Sequence, residues 1–142
     1  MSPSLVVFLH SSRYDRLYQA VSIILTASSM GRPCNLNLFY GALASYVMGT
    51  WDDVNIAPPS EDTRTPWAGE MQRGFELSNF PSLYEMLGKA RGESGGVKVF
   101  ACSTSCKVLS LDMGDVREKV DEIVGLPTMI KIAGESPSVM YV

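Results

Sequence analysis

Apolar positions along this chain switch repeatedly between unbroken runs and helical spacing. Leu5-Val6-Val7-Phe8-Leu9 is an uninterrupted apolar run of strand length, as expected at the centre of a parallel sheet, where both faces are covered. His10-Ser11-Ser12 ends the run, and Ser12 is a residue type that caps helices. Between Arg13 and Ser29 the apolar residues Tyr14, Leu17, Tyr18, Val21, Ile24 and Leu25 recur at intervals of three and four, which predicts a helix. Gly31 and Pro33 stand where a helix stop is expected. Asn35 to Tyr40 predicts a second strand, and Gly41 to Met48 a short helix stopped by Gly49.

From Thr50 to Ser78 the periodicity is lost. Trp51, Pro58-Pro59, the charged residues Glu61, Asp62 and Arg64, and Pro66-Trp67 predict a long ordered loop, a type of segment that often serves as a lid or binding element. Pro81 to Arg91 returns to helical spacing, with Pro81 at the start and Leu83, Met86, Leu87 and Ala90 along one face. Gly92 to Gly96 ends that helix and leads into Val97-Lys98-Val99-Phe100-Ala101, rich in β-branched and aromatic residues and predicted as a buried strand. Further on, the pattern admits alternatives. Asp115 to Val124 fits one helix, while Val120 to Val124 also fits a short strand; Thr128 to Ala133 fits either state. Ser138 to Val142 reads as a closing strand.

Strands alternating with helices predict a single α/β domain over residues 1–142, three layers α/β/α around a mainly parallel sheet of about five strands. At 142 residues and 46% apolar composition the chain can bury one good core. A net charge of −3 and an isoelectric point near 5.1 argue against nucleic acid or an anionic membrane surface as partner. Met1-Ser2-Pro3 lacks the basic start of a signal peptide, and the apolar run near Ala20 to Ala27 is too short to span a bilayer. Three cysteines do not make a disulfide framework; the expectation is a reducing, cytoplasmic setting.

The chemistry-bearing residues concentrate after the strand that begins at Val97. Cys102 falls at its end, and Ser103, Thr104 and Ser105 are good N-cap types for a helix continuing through Lys107-Val108-Leu109. Ligands of open α/β sheets bind beyond the carboxyl ends of the strands, and a helix start offers unpaired N–H groups that favour a thiolate. Cys102 is therefore the candidate nucleophile, with Ser103, Thr104 and Ser105 at the helix start as candidate substrate-binding residues. Cys106 lies one helical turn on and is expected to face roughly the same way. Two ordinary buried thiols are the alternative. His10, the only histidine, ends the first strand, the edge where Cys102 emerges if the strands run parallel, and can lower a thiol pKa or shuttle a proton. Cys34 enters the second strand at the opposite edge and reads as a buried spectator.

Other chemistries fit less well. The glycines from Gly88 to Gly96 match neither a phosphate loop nor a dinucleotide fingerprint, and one histidine with three cysteines makes a poor zinc set. No Gly-x-Ser-x-Gly elbow supports serine catalysis. No metal and no organic cofactor is expected. Met48, Met71, Met86, Met113 and Met140, spread through a chain apolar for its size, predict a homo-oligomer.

The segment Val97 to Ser105, an apolar strand running into a cysteine followed by small residues, resembles the reactive-cysteine segment of the DsrE/DsrF-like sulfur-relay family. Ala27-Ser28-Ser29-Met30-Gly31, then Leu38-Phe39-Tyr40-Gly41-Ala42-Leu43, and the tail from Val124-Gly125-Leu126 through Ala133 to Val139-Met140-Tyr141-Val142 follow in the same order; only Trp51 to Phe80 falls outside the likeness. The resemblance implies a DsrE/DsrF-like fold and a sulfurtransferase that carries sulfane sulfur or thiosulfonate on Cys102. It implies exchange with a TusA-like carrier protein and small sulfur compounds, trimers or hexamers, a helix over Leu126 to Ala133, and Tyr40 beside the substrate. A thiol redox protein using Cys102 and Cys106, a non-catalytic assembly subunit, and a small-molecule binder using the Trp51 to Trp67 loop are the other readings.

Overall fold

The apolar runs become the middle of a sheet. The computed structural model describes residues 2–53, 68–92 and 96–142. Its strands are β1 (Leu5–Leu9), β2 (Cys34–Leu38), β3 (Val97–Cys102), β4 (Glu122–Val124) and β5 (Val139–Tyr141). The helices are α1 (Tyr14–Ser29), α2 (Tyr40–Met48), α3 (Ala68–Ser78), α4 (Leu83–Gly92), α5 (Ser103–Val108), α6 (Met113–Lys119) and α7 (Leu126–Gly134). All strand pairs are parallel, in the order β4-β3-β2-β1-β5.

That order fixes where each helix goes. Parallel crossovers are right-handed, so three successive steps in one direction, β1 to β4, place α1 to α6 on one face; the return from β4 to β5 places α7 on the other. The packing agrees. Leu5, Val7, Leu9, Leu36, Leu38, Val99 and Ala101 point into the larger core with residues of α1, α2, α4, α5 and α6. The alternate residues Val6, Phe8, Phe100 and Cys102 form a smaller core with Met129 of α7. Among the described residues, six helices thus cover one face and a single nine-residue helix covers the other.

Several expectations need correction. The region predicted as a loop up to Ser78 contains α3, because Met71 and Phe75 pack on the main core, with Phe75 stacked on Tyr18 at 4.4 Å. Met71 and Phe75 are spaced four apart, but Leu77 is exposed, and a single such interval is too little to show a helical period. The remainder of that stretch, 54–67, lies outside the described residues. Trp51 is no open binding residue: it is fully buried, and its ring N–H donates to the Ala42 carbonyl at 3.0 Å. Ser12 does not cap α1; Arg13 is the N-cap residue, and the Ser11 hydroxyl accepts from the Arg13 N–H at 3.1 Å. Likewise Ser103 to Ser105 do not cap α5. They form its first turn, and Cys102 itself is the N-cap residue. Tyr40 starts α2 rather than ending β2. Both alternatives for 115–124 are realised in part, as α6 followed by β4, and Asp121 between them braces the sheet: its carboxylate accepts from the Val99 N–H at 2.7 Å and from Arg91 at 2.9 Å. The segment 126–134 is helical, with Pro127 in its first turn.

Candidate functional site

The parallel register sets the geometry of the candidate site. Leu9 pairs with Leu38, and Leu38 with Ala101, so the next residues, His10, Phe39 and Cys102, stand in one row across the carboxyl ends of three adjacent strands. Phe39 keeps extended backbone, and its N–H continues the ladder to the Leu9 carbonyl at 3.0 Å. Strands in a sheet lie about 4.8 Å apart, which sets His10 and Cys102 at roughly 10 Å, with Phe39 between them. The structure therefore brings His10 to the same edge as Cys102 but not into hydrogen-bond reach of it along this row.

Cys102 is the hinge between β3 and α5. Its backbone is extended (φ −70°, ψ 121°), and the first-turn N–H groups of α5 that follow have no partner within the helix. Its neighbours across the sheet are Phe39, just beyond β2, and Val124 on β4. Phe100 below and Met129 from α7 complete an apolar box that leaves Cys102 only 2% exposed.

Cys106 is not on the same side. Cys102 belongs to the small core under α7, whereas Cys106 packs into the large core on the opposite face. The expectation of a shared orientation fails because Cys102 takes its direction from the strand pleat, not from the helix. Burial, reinforced by the neighbouring Cys102, pushes the Cys106 thiol pKa up. Cys34 is buried at the far edge, and burial raises its thiol pKa as well. All three cysteines are free thiols.

The small polar residues divide. Ser103 is half-buried and Thr104 exposed, so both are within reach of a ligand at the edge. Ser105 is fully buried, and its hydroxyl has no hydrogen-bond partner among the described residues. Tyr40 is 39% exposed and sits at φ +38°, a left-handed backbone that a bulky residue adopts only under constraint. The strain lies one residue beyond the row of His10, Phe39 and Cys102.

The strand order reverses between β1 and β5, and at that switch point an apolar groove of about 400 Å³ opens. Phe8, Phe39, Tyr141, Leu126, Ile130 and His10 line it, together with Val142. Phe8 and Tyr141 stack at 4.8 Å, while Leu126 and Ile130 of α7 remain about half exposed. A larger cavity of about 810 Å³ lies beside α3 and α4 and is lined by the acids Asp52, Asp53, Glu76 and Glu85, with no cysteine among the described residues; the smaller groove is the one that borders the thiol's own neighbour, Phe39. Phe39, Val124 and Met129 are the site residues that sequence reasoning missed. Phe39 and Val124 become legible only once the register is known, and Met129 only once α7 is placed on its own face.

No three of the described His, Cys, Asp and Glu residues come together as a metal site, and no helix among the described residues is long and apolar enough to cross a membrane. Comparison with protein-family models and with curated proteins finds no match to this chain.

Proposed function

We propose that this α/β protein is a sulfur-relay protein that carries sulfane sulfur on Cys102. The observation that supports this most is the position of Cys102. It ends a central strand at the carboxyl edge of a parallel sheet, where the first turn of α5 begins, in one row with the only histidine.

The chemistry follows from thiol–disulfide exchange. The Cys102 thiolate attacks the outer sulfur of a persulfide R–S–SH. A new S–S bond forms as the donor's S–S bond breaks, leaving Cys102–S–SH and R–S⁻, with no net oxidation. With thiosulfate the same attack leaves Cys102–S–S⁻ and sulfite. The free N–H groups of the α5 first turn, with the Ser103 and Thr104 hydroxyls beside them, favour both the attacking thiolate and the anionic product. His10 stands at the same edge, in the row of Phe39 and Cys102. Tyr40, held out of the strand by its backbone, follows Phe39 directly in the chain and is the substrate-side residue of this reading. The recipient in this reading is a TusA-like carrier protein presented to the same edge, and the exposed apolar side chains outside the groove, Met30, Met48, Leu77 and Val108, support self-association into a homo-oligomer.

A redox couple of Cys102 with Cys106 gains no support, since the two side chains leave on opposite faces and a disulfide has narrow geometric limits. The burial of Cys102 favours one second reading, a non-catalytic assembly subunit. Intact-mass analysis after incubation with a persulfide donor, thiosulfate or tetrathionate separates the two. Sulfur added to wild type and absent from Cys102→Ser supports the carrier; equal addition to both, or to neither, supports the subunit.

A further inference from the structure

A carrier thiol must meet its donor, yet Cys102 is 2% exposed. Its box has a floor, Phe100, and a roof, Met129 of α7; on the sheet it is flanked by Val124 and Phe39. Val124 leads to the β4 edge and is not among the residues that line the switch-point groove. Phe39 is different. It is half-buried, it packs on the core that contains Cys102, and it lines the apolar groove at the switch point. One ring thus separates the thiol from the cavity.

The groove's chemistry restricts what can use it. Its walls are the rings of Phe8, Phe39 and Tyr141 and the side chains of Leu126, Ile130 and Val142, with the His10 imidazole as a polar group at the rim. Among the described residues, no Lys, Arg, Asp or Glu side chain lines it. A compact dianion such as thiosulfate finds no cationic side chain there and would lose its hydration against hydrocarbon, which is costly. A persulfide on an apolar body loses little and gains contact area.

We propose that Phe39 is the gate to Cys102, and that the groove selects donors with an apolar organic body over small inorganic anions. This deepens the sulfur-relay reading and rests on it for its physiological meaning, although the gate itself is a property of thiol access. When the Phe39 ring swings aside, an entering R–S–SH reaches Cys102 with its R group against Phe8, Leu126 and Ile130. The exchange is the one already written: Cys102–S⁻ and R–S–SH give Cys102–S–SH and R–S⁻. Phe39 touches no electron or proton of this step; it is a specificity-determining and positioning residue.

The test needs no sulfur transfer, so its failure is distinct from failure of the carrier reading. Cys102 is labelled with two methanethiosulfonates that share a leaving group, benzyl (apolar) and 2-sulfonatoethyl (anionic), and the rate is read on the Cys102 peptide by mass spectrometry. Each rate is divided by that of the same reagent with the denatured chain. In the wild type the normalised benzyl rate is expected to exceed the sulfonatoethyl rate by about tenfold, the usual scale of discrimination by an apolar pocket. In Phe39→Ala both rates rise and the ratio falls toward one. Phe39→Leu, which keeps an apolar plug, retains a ratio between the two and controls for folding, together with near-ultraviolet circular dichroism. Equal normalised rates in the wild type, or an unchanged ratio in a folded Phe39→Ala protein, overturn the proposal. Loss of labelling as protein concentration rises assigns the groove to a second copy of this chain and likewise overturns it.

Discussion

Met129 is the side chain through which α7 holds its place, and its removal should open the site without unfolding the protein. Met129 is fully buried and is the one buried residue of α7; Ile132 and Ala133 add partial contacts, and Leu126 and Ile130 stay half exposed. Truncating a buried methionine to alanine costs about 2–5 kcal/mol. The large core on the other face, built by six helices, does not contain this residue. The cost therefore falls on local opening of α7. Even the lower figure, about 2 kcal/mol, raises the open population about 30-fold at about 1.4 kcal/mol per factor of ten. Because Met129 also roofs Cys102, labelling of that thiol should accelerate by a similar factor. The assay pairs peptide-resolved hydrogen exchange over 126–134 with alkylation of Cys102 in Met129→Ala. Faster exchange in α7 and faster labelling, with β1 and β2 unchanged, is the expected pattern. Uniform acceleration across β1, β2 and α7 would refute the idea that α7 opens alone.

Three further outcomes are expected. Tyr40→Gly removes the left-handed strain at φ +38° and should leave stability unchanged or higher, since strain of this kind costs on the order of 1–3 kcal/mol, while sulfur loading slows; a clear fall in the urea midpoint contradicts the strain argument. Burial first, then the Asp52 charge, pushes the Tyr14 phenol up to about 12 from 10.0, so the folded state binds more protons than the unfolded one above pH 10.0. That contribution is complete below pH 10.0 and is lost as pH rises toward about 12, so Tyr14→Phe should show a shallower alkaline loss of stability by urea titration than wild type. Asp121→Asn removes the Arg91 pair and weakens the 2.7 Å acceptor of the Val99 N–H; a loss of about 1.5–3 kcal/mol is expected, because hydrogen bonds to charged groups are the strong ones.

The sequence was most legible where one signal dominated. The run Leu5 to Leu9 and the three-four spacing of Leu83, Met86, Leu87 and Ala90 each match a single element, and all of these residues are buried. The strand into Cys102 was also legible, because β-branched residues give way abruptly to small polar ones. Where the reading failed, tertiary contacts decided. The helix α3 depends on Phe75 meeting Tyr18, a contact no local pattern displays. Cys102 and Cys106 were expected to face the same way because a helical spacing separates them; the pleat of β3 turns Cys102 toward α7 instead. The enclosure of Cys102 by Phe39, Val124 and Met129 comes from three other elements, so it could be read only after the strand order was known.

The central claim is that Cys102 carries sulfur, and peptide-resolved mass analysis of the protein after incubation with a persulfide donor tests it most directly. Wild type, Cys102→Ser, Cys106→Ala and Cys34→Ala are loaded side by side. The account predicts one added sulfur on the Cys102 peptide in wild type, Cys34→Ala and Cys106→Ala, reversed by a thiol reductant, and none in Cys102→Ser. Sulfur found on Cys34 or Cys106 in wild type, or loading of Cys102→Ser at the wild-type level, would contradict it.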